Sequence, residues 1–122
     1  MGRIRQVHTT PELAVRRAVH NLGMRYTVHN RDLPGSPDVA NRRRRWAMFV
    51  HGCFWHQHKE CREGRLPESN RDYWEPKLAR NVERDDENLN KLNEQGWRTL
   101  VIWECETQNE VLLRSRLRCF LR

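Results

Sequence analysis

The sequence predicts a three-layer α/β or α+β domain in which a small mixed sheet is flanked by helices. Three observations carry this prediction: amphipathic helical periods, short apolar segments typical of strands, and Gly or Pro turns between them. Their order is helix, strands, ligand-rich loop, helix, strand, helix, which places the sheet between helical layers. At 122 residues the chain has room for one core, so a single domain spanning 1–122 is expected.

The first helix begins at Thr10-Pro11-Glu12, which offers a capping hydroxyl, a first-turn proline and an acid at the positive end of the helix dipole. Gly23 ends it. Its apolar residues recur at helical spacing: Val15, Ala18, Val19 and Leu22. Glu12 stands one turn before Val15, so its side chain should leave from the edge of the buried face. Compensation of the helix dipole is the simpler interpretation of this glutamate.

The next segments predict strands and turns. Residues 24–30 alternate weakly and could form a strand, residues 32–37 have turn composition, and residues 38–40 begin a second short strand. Arg42–Arg45 should form a hairpin tip before the strand of residues 46–50. Four arginines at a tip form either a solvated turn or a contact with phosphate.

The second half predicts a polar loop at residues 63–71, a helix with Pro76 in its first turn, a buried strand at residues 97–103 and a last helix. Gly96 stops the long helix, and Thr107-Gln-Asn-Glu110 has the pattern of a capping box. The helical apolar positions are Leu78, Val82, Leu89 and Leu92, then Leu113, Leu117, Phe120 and Leu121.

Charge and composition favour a nucleic-acid partner. The formal charge is +7 and the pI about 9.9, and 20 of the 23 basic residues are arginine, whose planar fork suits phosphate oxygens. No apolar run approaches the roughly 18 residues of a membrane span, and residues 1–6 lack the apolar stretch of a signal peptide. We therefore expect a cytoplasmic protein without a membrane partner, in which cysteines bind metal or stay reduced.

Cysteine and histidine spacing predicts a structural zinc site. Cys53, His58 and Cys61 lie on one short loop, with Cys105 at a later strand end as the fourth ligand. Such a site would pin the loop to the sheet edge. His56 could replace His58, and Cys119 could replace Cys105, although its helix position favours the core. The alternative is a pair of buried thiols with incidental histidines.

A carboxylate at a strand head predicts a second metal site. Asp38 follows Pro37 where a loop enters a strand, and many nucleases hold Mg²⁺ at such a position. His51 and His56 remain beside the zinc ligands, and a histidine not bound to metal is the usual proton carrier near neutral pH. The adjacent aromatics Phe54 and Trp55 should be presented at the surface instead of buried.

Four segments of the chain carry a resemblance to a known family. These are Asp32-Leu-Pro-Gly-Ser-Pro-Asp38, Phe49-Val-His-Gly-Cys-Phe-Trp-His56, Tyr73-Trp74 with Lys77 and Asn81-Val-Glu-Arg-Asp85, and Gly96-Trp-Arg-Thr-Leu-Val-Ile-Trp-Glu-Cys105. Together they resemble the Vsr family, the very-short-patch-repair DNA mismatch endonucleases, over about residues 10–105. The resemblance implies a restriction-endonuclease-like fold and a Mg²⁺-dependent nick in one strand of double-stranded DNA, 5′ to the thymine of a T·G mispair.

The resemblance also implies site residues. The metal-binding aspartate corresponds to Asp38, the catalytic base to His56, a supporting glutamate to Glu12 and a further active-site histidine to His51. The structural zinc ligands correspond to Cys53, His58, Cys61 and Cys105, and the aromatics that wedge into the DNA stack to Phe54, Trp55 and Trp74.

Two departures shape the expected chemistry. Val50 stands where a better-known member has threonine, so only its backbone carbonyl could bind Mg²⁺. Val50-His51-Gly52 replaces the Asp/Glu-x-Lys of most relatives of this nuclease fold, so a histidine must deprotonate the attacking water. We expect a monomer that acts in mismatch repair, with other repair proteins as possible partners. The alternative is a zinc-stabilised DNA-binding module without cleavage; a zinc hydrolase of small molecules is disfavoured because four ligands leave no open position.

Overall fold

The computed structural model describes residues 10–58, 61 and 66–121. The elements in order are α1 (Thr10–Asn21), β1 (Val39–Asn41), β2 (Trp46–His51), α2 (Arg71–Glu94), β3 (Arg98–Trp103), a 3₁₀ turn (Glu104–Gln108) and α3 (Glu110–Phe120). The signal-peptide prediction concerns residues 1–6, which lie outside the described residues, as do residues 63–65 of the predicted polar loop.

Strand β2 lies at the centre of a three-stranded mixed sheet. It pairs antiparallel with β1, with Val39 opposite Met48, and parallel with β3, with Trp46 opposite Arg98. The short β1–β2 turn permits the antiparallel pair, whereas the parallel pair requires the long crossover that α2 provides. The predicted α/β class with a small mixed sheet is therefore confirmed for the described residues.

The two faces of the sheet are covered by different helices. Alternate strand residues point to opposite faces, so Trp46 and Met48 of β2 join one core cluster and Ala47 and Phe49 the other. The first cluster packs against α1 and α3 through Val15, Val19, Leu113 and Leu117. The second packs against α2 through Leu92. Each large side chain buried in this way contributes about 1.5–3 kcal/mol relative to leaving it in water.

The prediction of a strand at residues 24–30 is wrong except at Thr27. Thr27 forms an isolated bridge with Ala40, with N–H···O distances of 2.7 and 3.1 Å. His29 has a φ of 58°, which breaks the extended conformation that a strand requires. The segment therefore runs beside β1 without continuing the sheet.

The prediction for the start of the long helix is also wrong. Helix α2 begins at Arg71, so Pro76 is its sixth residue. The backbone carbonyl of Asn70, which has a left-handed φ of 57°, accepts hydrogen bonds from the N–H groups of Tyr73 and Trp74, each at 3.0 Å. These contacts establish the first turn, and the helix forgoes the single hydrogen bond that Pro76 cannot donate.

Three further predictions in the last third of the chain need correction. Strand β3 is an edge strand of the described sheet, and only Ile102 in it is fully buried. The N-cap of α3 is Asn109, whose side chain accepts the N–H of Leu112 at 3.1 Å, because the Thr107 hydroxyl instead donates to Glu104 within the 3₁₀ turn. Cys119 is exposed and is not part of the core.

An ion pair covers part of the open edge of β3. Nη1 of Arg116 donates to the carbonyl of Val101 at 3.1 Å and lies 2.6 Å from Oε1 of Glu106. The same Glu106 oxygen accepts the N–H of Trp103 at 2.8 Å. The C=O of one residue and the N–H two residues later are the groups that a neighbouring strand would use. This ion pair therefore occupies part of an edge that would otherwise be open to pairing.

The helices in the described part of the chain include none that is both long enough and apolar enough to cross a membrane.

Candidate active site and metal centre

Asp38 lies at the entry to β1 and is hydrogen bonded across the sheet. Its Oδ2 accepts the backbone N–H of Val50 at 2.7 Å, near the C-terminal end of β2. The N–H of Asp38 donates to the carbonyl of Met48 at 3.0 Å. Because β1 and β2 are antiparallel, the first residue of one strand meets the last residues of the other. The pairing thus brings Asp38 beside Val50 and His51.

The loop before Asp38 is held by a close approach and by a buried amide. Gly35 has a φ of +75°, and a Cβ there would lie 2.9 Å from Cε1 of Phe49, so neither the conformation nor the space suits a side chain. Asn30 is only 1% exposed and donates its amide to the carbonyl of Pro37 at 3.1 Å. These contacts restrict the position of the peptide that precedes Asp38.

Glu12 reaches the same place from α1. It is 6% exposed, in agreement with its predicted position at the buried edge of the helix. Burial raises the pKa of Asp38 to about 7, the N–H of Val50 opposes this rise, and the charge and hydrogen bond of Glu12 add to it. Two carboxylates that crowd in this way favour a shared proton or a cation.

His51 and His56 form a stacked pair beside these carboxylates. Their ring centroids are 3.9 Å apart and the ring planes differ by 8°. Burial lowers the pKa of His51 to about 4, and the neighbouring His56 adds to the decrease, so His51 is neutral near pH 7. A neutral His51 stacks on His56 without placing a positive charge against its ring.

Asp85 of α2 completes this group. Its Oδ2 lies 2.5 Å from Nδ1 of His56. A carboxylate at Nδ1 favours the tautomer that carries the proton there, which leaves Nε2 of His56 with its lone pair. The arrangement positions one histidine nitrogen to accept a proton from a bound group.

These side chains line one cavity of about 220 Å³. The predicted catalytic residues and the one that was missed all lie on its wall: Glu12, Asp38, Val50, His51, His56 and Asp85. Asp85 belongs to the motif Asn81-Val-Glu-Arg-Asp85, but no role was predicted for it. It stands in the charged run Glu83–Glu87 of an otherwise polar helix, and nothing in the sequence alone marks which acid points inward. Its spacing of four residues from Asn81, whose amide donates to the carbonyl of Trp55 at 3.3 Å, places both on one helix face.

The four predicted zinc ligands also converge. One ligand atom from each of Cys53, His58, Cys61 and Cys105 lies within 4.8 Å of the other three. Zn–S bonds of ~2.3 Å place tetrahedral thiolates about 3.8 Å apart, so the donor set suits zinc in chemistry and in approximate spacing. In the described part of the chain, His56 and Cys119 are not members of this cluster.

The segment from Cys53 to His58 is tightly wound. His58 donates its N–H to the carbonyl of Cys53 at 2.9 Å, and its ring stacks on Trp103 at 4.3 Å between centroids. Burial and hydrogen bonds with Cys53 and Cys61 raise the pKa of Cys105 to about 12. Thiols crowded in this way hold their protons unless a metal replaces them, and a metal-bound thiol is deprotonated outright.

Aromatic rings form a cluster next to the ligand loop. Phe54, Trp55 and Trp74 are mutual edge-to-face neighbours with centroid separations of 5.2–5.7 Å. All three are partly exposed, and none belongs to the two buried core clusters. Lys77 lies over two of these rings at 5.9 Å and over Tyr73 at 5.3 Å, which adds a cation to the surface. The cluster therefore contributes apolar surface outside the core.

Comparison with known proteins gives one family. The model of the family described as DNA mismatch endonuclease Vsr matches residues 1–63. The type II nicking enzyme V.XorIIP of Xanthomonas oryzae pv. oryzae is 46% identical over 99% of this chain and 88% of its own length, and V.NmeAIP of Neisseria meningitidis serogroup A is 37% identical over 100% and 86%. The DNA mismatch endonuclease Vsr of Escherichia coli K12 is 41% identical over 68% of this chain and 53% of its own length.

The fold, the histidine and carboxylate site and these relatives define the class of protein as a DNA endonuclease. The chain belongs to the Vsr family. This membership confirms the resemblance predicted from the sequence motifs, and it disfavours the alternative of a DNA-binding module without cleavage.

Proposed function

We propose that this protein is a Mg²⁺-dependent endonuclease that nicks one strand of double-stranded DNA at a T·G mispair, with a zinc ion holding its ligand loop in place. The observation that carries this proposal is the cavity in which Glu12 and Asp38 face His56 and Asp85. A cation site and a proton acceptor in one small cavity suit the hydrolysis of a phosphodiester.

The residues divide the chemistry between them. Asp38 would hold Mg²⁺ together with the backbone carbonyl of Val50. When bound, the ion supplies polarisation of the phosphate and stabilisation of developing negative charge. The raised pKa of Asp38 agrees with this role, because a cation would relieve the crowding of two carboxylates.

His56 acts as the general base in this proposal. With Nδ1 directed to Asp85, its Nε2 takes the proton from the attacking water. Asp85 orients the ring and stabilises the imidazolium that forms, as the acidic partner of a catalytic histidine generally does. His51, neutral and stacked on His56, keeps the ring plane in place.

Zinc would be held by Cys53, His58, Cys61 and Cys105, so that the loop carrying His56 is tied to the end of β3. The ion would supply cross-linking only, because four protein ligands leave no open position. The domain boundaries of 1–122, the restriction-endonuclease-like fold, the monomeric state and a link to other repair proteins belong to the same proposal.

Discrimination of the mispair is assigned to Phe54, Trp55 and Trp74. Apolar rings that wedge between base steps cost a few kcal/mol of unstacking, and less where the stack is already weakened. Discrimination then comes from how readily the DNA deforms, since a T·G wobble differs from a matched pair in stacking.

A strand-labelled nicking assay tests the proposal. Duplexes of one sequence carrying T·G or T·A are incubated with Mg²⁺ or with EDTA. We expect one labelled strand of the T·G duplex to be cut with Mg²⁺ and neither strand with EDTA. Equal cutting of both duplexes would refute the specificity, and cutting in EDTA would refute the Mg²⁺ dependence.

A further inference from the structure

The arginine run at the β1–β2 turn separates into two pairs with different surroundings. Arg42 binds both carboxylate oxygens of Asp32, at 2.7 and 2.8 Å, and Arg45 donates to the carbonyl of Gln95 at 3.1 Å. Arg43 and Arg44 are exposed, and no hydrogen bond or ion pair joins their guanidinium groups to other residues in the described part of the chain. All four arginines are exposed, but the guanidinium groups of two of them have partners within the described residues and those of the other two do not.

A third exposed arginine lies beside this second pair. Arg25, Arg43 and Arg44 line a concave surface of about 620 Å³ together with Arg42, which is paired with Asp32, and the lining includes no acidic residue. Its framework is hydrogen bonded: Asn41 donates its amide to the carbonyl of Arg25 at 3.0 Å and accepts the N–H of Arg44 at 2.9 Å. The Thr27 bridge to β1 joins the same two segments. We name these three residues the arginine groove.

We propose that the arginine groove is a second DNA-binding surface, which holds the phosphodiester backbone without reading sequence. Guanidinium groups match phosphate oxygens in shape and charge, and a rigid concave framework lowers the cost of ordering them. The groove lies at the opposite end of β2 from Val50 and His51. The six residues of the strand separate its two ends by about 17 Å, so a phosphate in the groove does not occupy the catalytic cavity.

A second arginine-lined surface allows DNA binding by the groove to be distinguished from the effect of net positive charge. Arg17, Arg114 and Arg118 line another concave surface, of about 510 Å³, between α1 and α3. That surface includes Glu110, which pairs with Arg114 at 3.5 Å. It is lined by three arginines and carries a negative charge among them. Removal of its three arginines changes the net charge by the same amount as removal of Arg25, Arg43 and Arg44, so it supplies a control of equal charge.

The test compares two triple variants with the wild-type protein. The first is Arg25→Gln, Arg43→Gln and Arg44→Gln; the control is Arg17→Gln, Arg114→Gln and Arg118→Gln. The affinity for a matched duplex without a mispair is measured by fluorescence anisotropy between about 50 and 200 mM salt. Each lost phosphate contact lowers the slope of log K against log salt by about 0.9, so the groove variant should lose about 2–3 in slope. The control should lose less than about 1.

Melting temperature and nicking rate are measured separately from DNA affinity. Both triple variants should keep the wild-type melting temperature. The control should also keep the wild-type nicking rate, whereas the groove variant should need more protein to reach its maximal rate, because its arginines hold DNA and do not line the catalytic cavity. Equal slopes for the groove variant and the control would overturn the proposal and leave the groove to solvent or to an acidic protein surface. A groove variant that binds normally but nicks slowly would also overturn it. Since the binding assay uses matched DNA without nicking, it stands whether or not the T·G proposal holds.

Discussion

Nδ1 of His56 and Oδ2 of Asp85 lie 2.5 Å apart, although 29 residues separate them in the chain. The histidine comes from the loop after β2 and the carboxylate from the middle of α2. The amide of Asn81, one turn before Asp85, donates to the carbonyl of Trp55, which precedes His56. Helix α2 and the loop after β2 are thus held together beside the reactive side chains.

The His56–Asp85 pair should act as one unit. His56→Ala should lower the single-turnover nicking rate by about 10²–10⁴-fold, the contribution typical of a general base. Asp85→Asn should lower it through loss of ring orientation, and the double variant should be no slower than His56→Ala alone. Higher pH should restore part of the rate of His56→Ala, because hydroxide replaces the base. Additive effects in the double variant would show that the two residues act independently.

Asp38→Ala should abolish nicking while the fold and duplex binding persist. The carboxylate would hold the ion that polarises the phosphate, and a half-buried residue at a strand entry contributes little packing. Nicking, anisotropy binding and melting temperature are measured on the same preparation. A variant that keeps a tenth of the wild-type rate would disprove the assignment.

One zinc ion per chain is expected from elemental analysis of purified protein. Cys53→Ser and Cys105→Ser should give misfolded or insoluble protein, because structural zinc binding is worth on the order of 10–16 kcal/mol and a whole domain only about 5–15 kcal/mol. Cys119→Ser is the matched control: this thiol is exposed, so zinc content and melting temperature should stay at wild-type values. Soluble, active protein that contains no zinc would refute the site.

Trp55→Ala and Trp74→Ala should reduce the preference for T·G over T·A duplexes more than they reduce general, salt-sensitive binding. The rings are partly exposed and stand outside the core clusters, so their removal should cost little stability. Equilibrium binding to both duplexes gives the preference, and a thermal melt verifies the fold. An undiminished T·G preference in folded variants would mean that these rings do not read the mispair.

The ion pair on the edge of β3 should protect the sheet from self-association. Glu106→Gln and Arg116→Met each leave a backbone group of β3 with a weaker partner or none, at a cost of about 1–3 kcal/mol. We expect a lower melting temperature and concentration-dependent association in analytical ultracentrifugation. Arg114→Met, which removes an exposed partner of Glu110 one turn away, is the control and should remain unchanged in both measurements.

Local signals determined much of this protein before any contact was known. The predicted start at Thr10 and end at Gly23 agree with the observed bounds of α1 within two residues. The apolar segment 46–50 lies within β2. The four zinc-ligand candidates were identifiable because short Cys and His spacing on one loop restricts the partners to a few. Asp38 could be predicted as a candidate metal ligand because the residues before it have turn composition and those after it predict a strand.

Only the tertiary structure decided the features that depend on contacts between distant segments. The sequence does not show that Asp85, among several acids of α2, is the one that points to His56, since acidic residues recur along this helix. Nor does it show that the guanidinium groups of Arg42 and Arg45 have partners among the described residues while those of Arg43 and Arg44 do not, because Asp32 and Gln95 become partners only when their segments meet at the turn. Local sequence sets periodicity and turn chemistry, but burial and hydrogen-bond partners are properties of the packed chain, so these assignments required the fold.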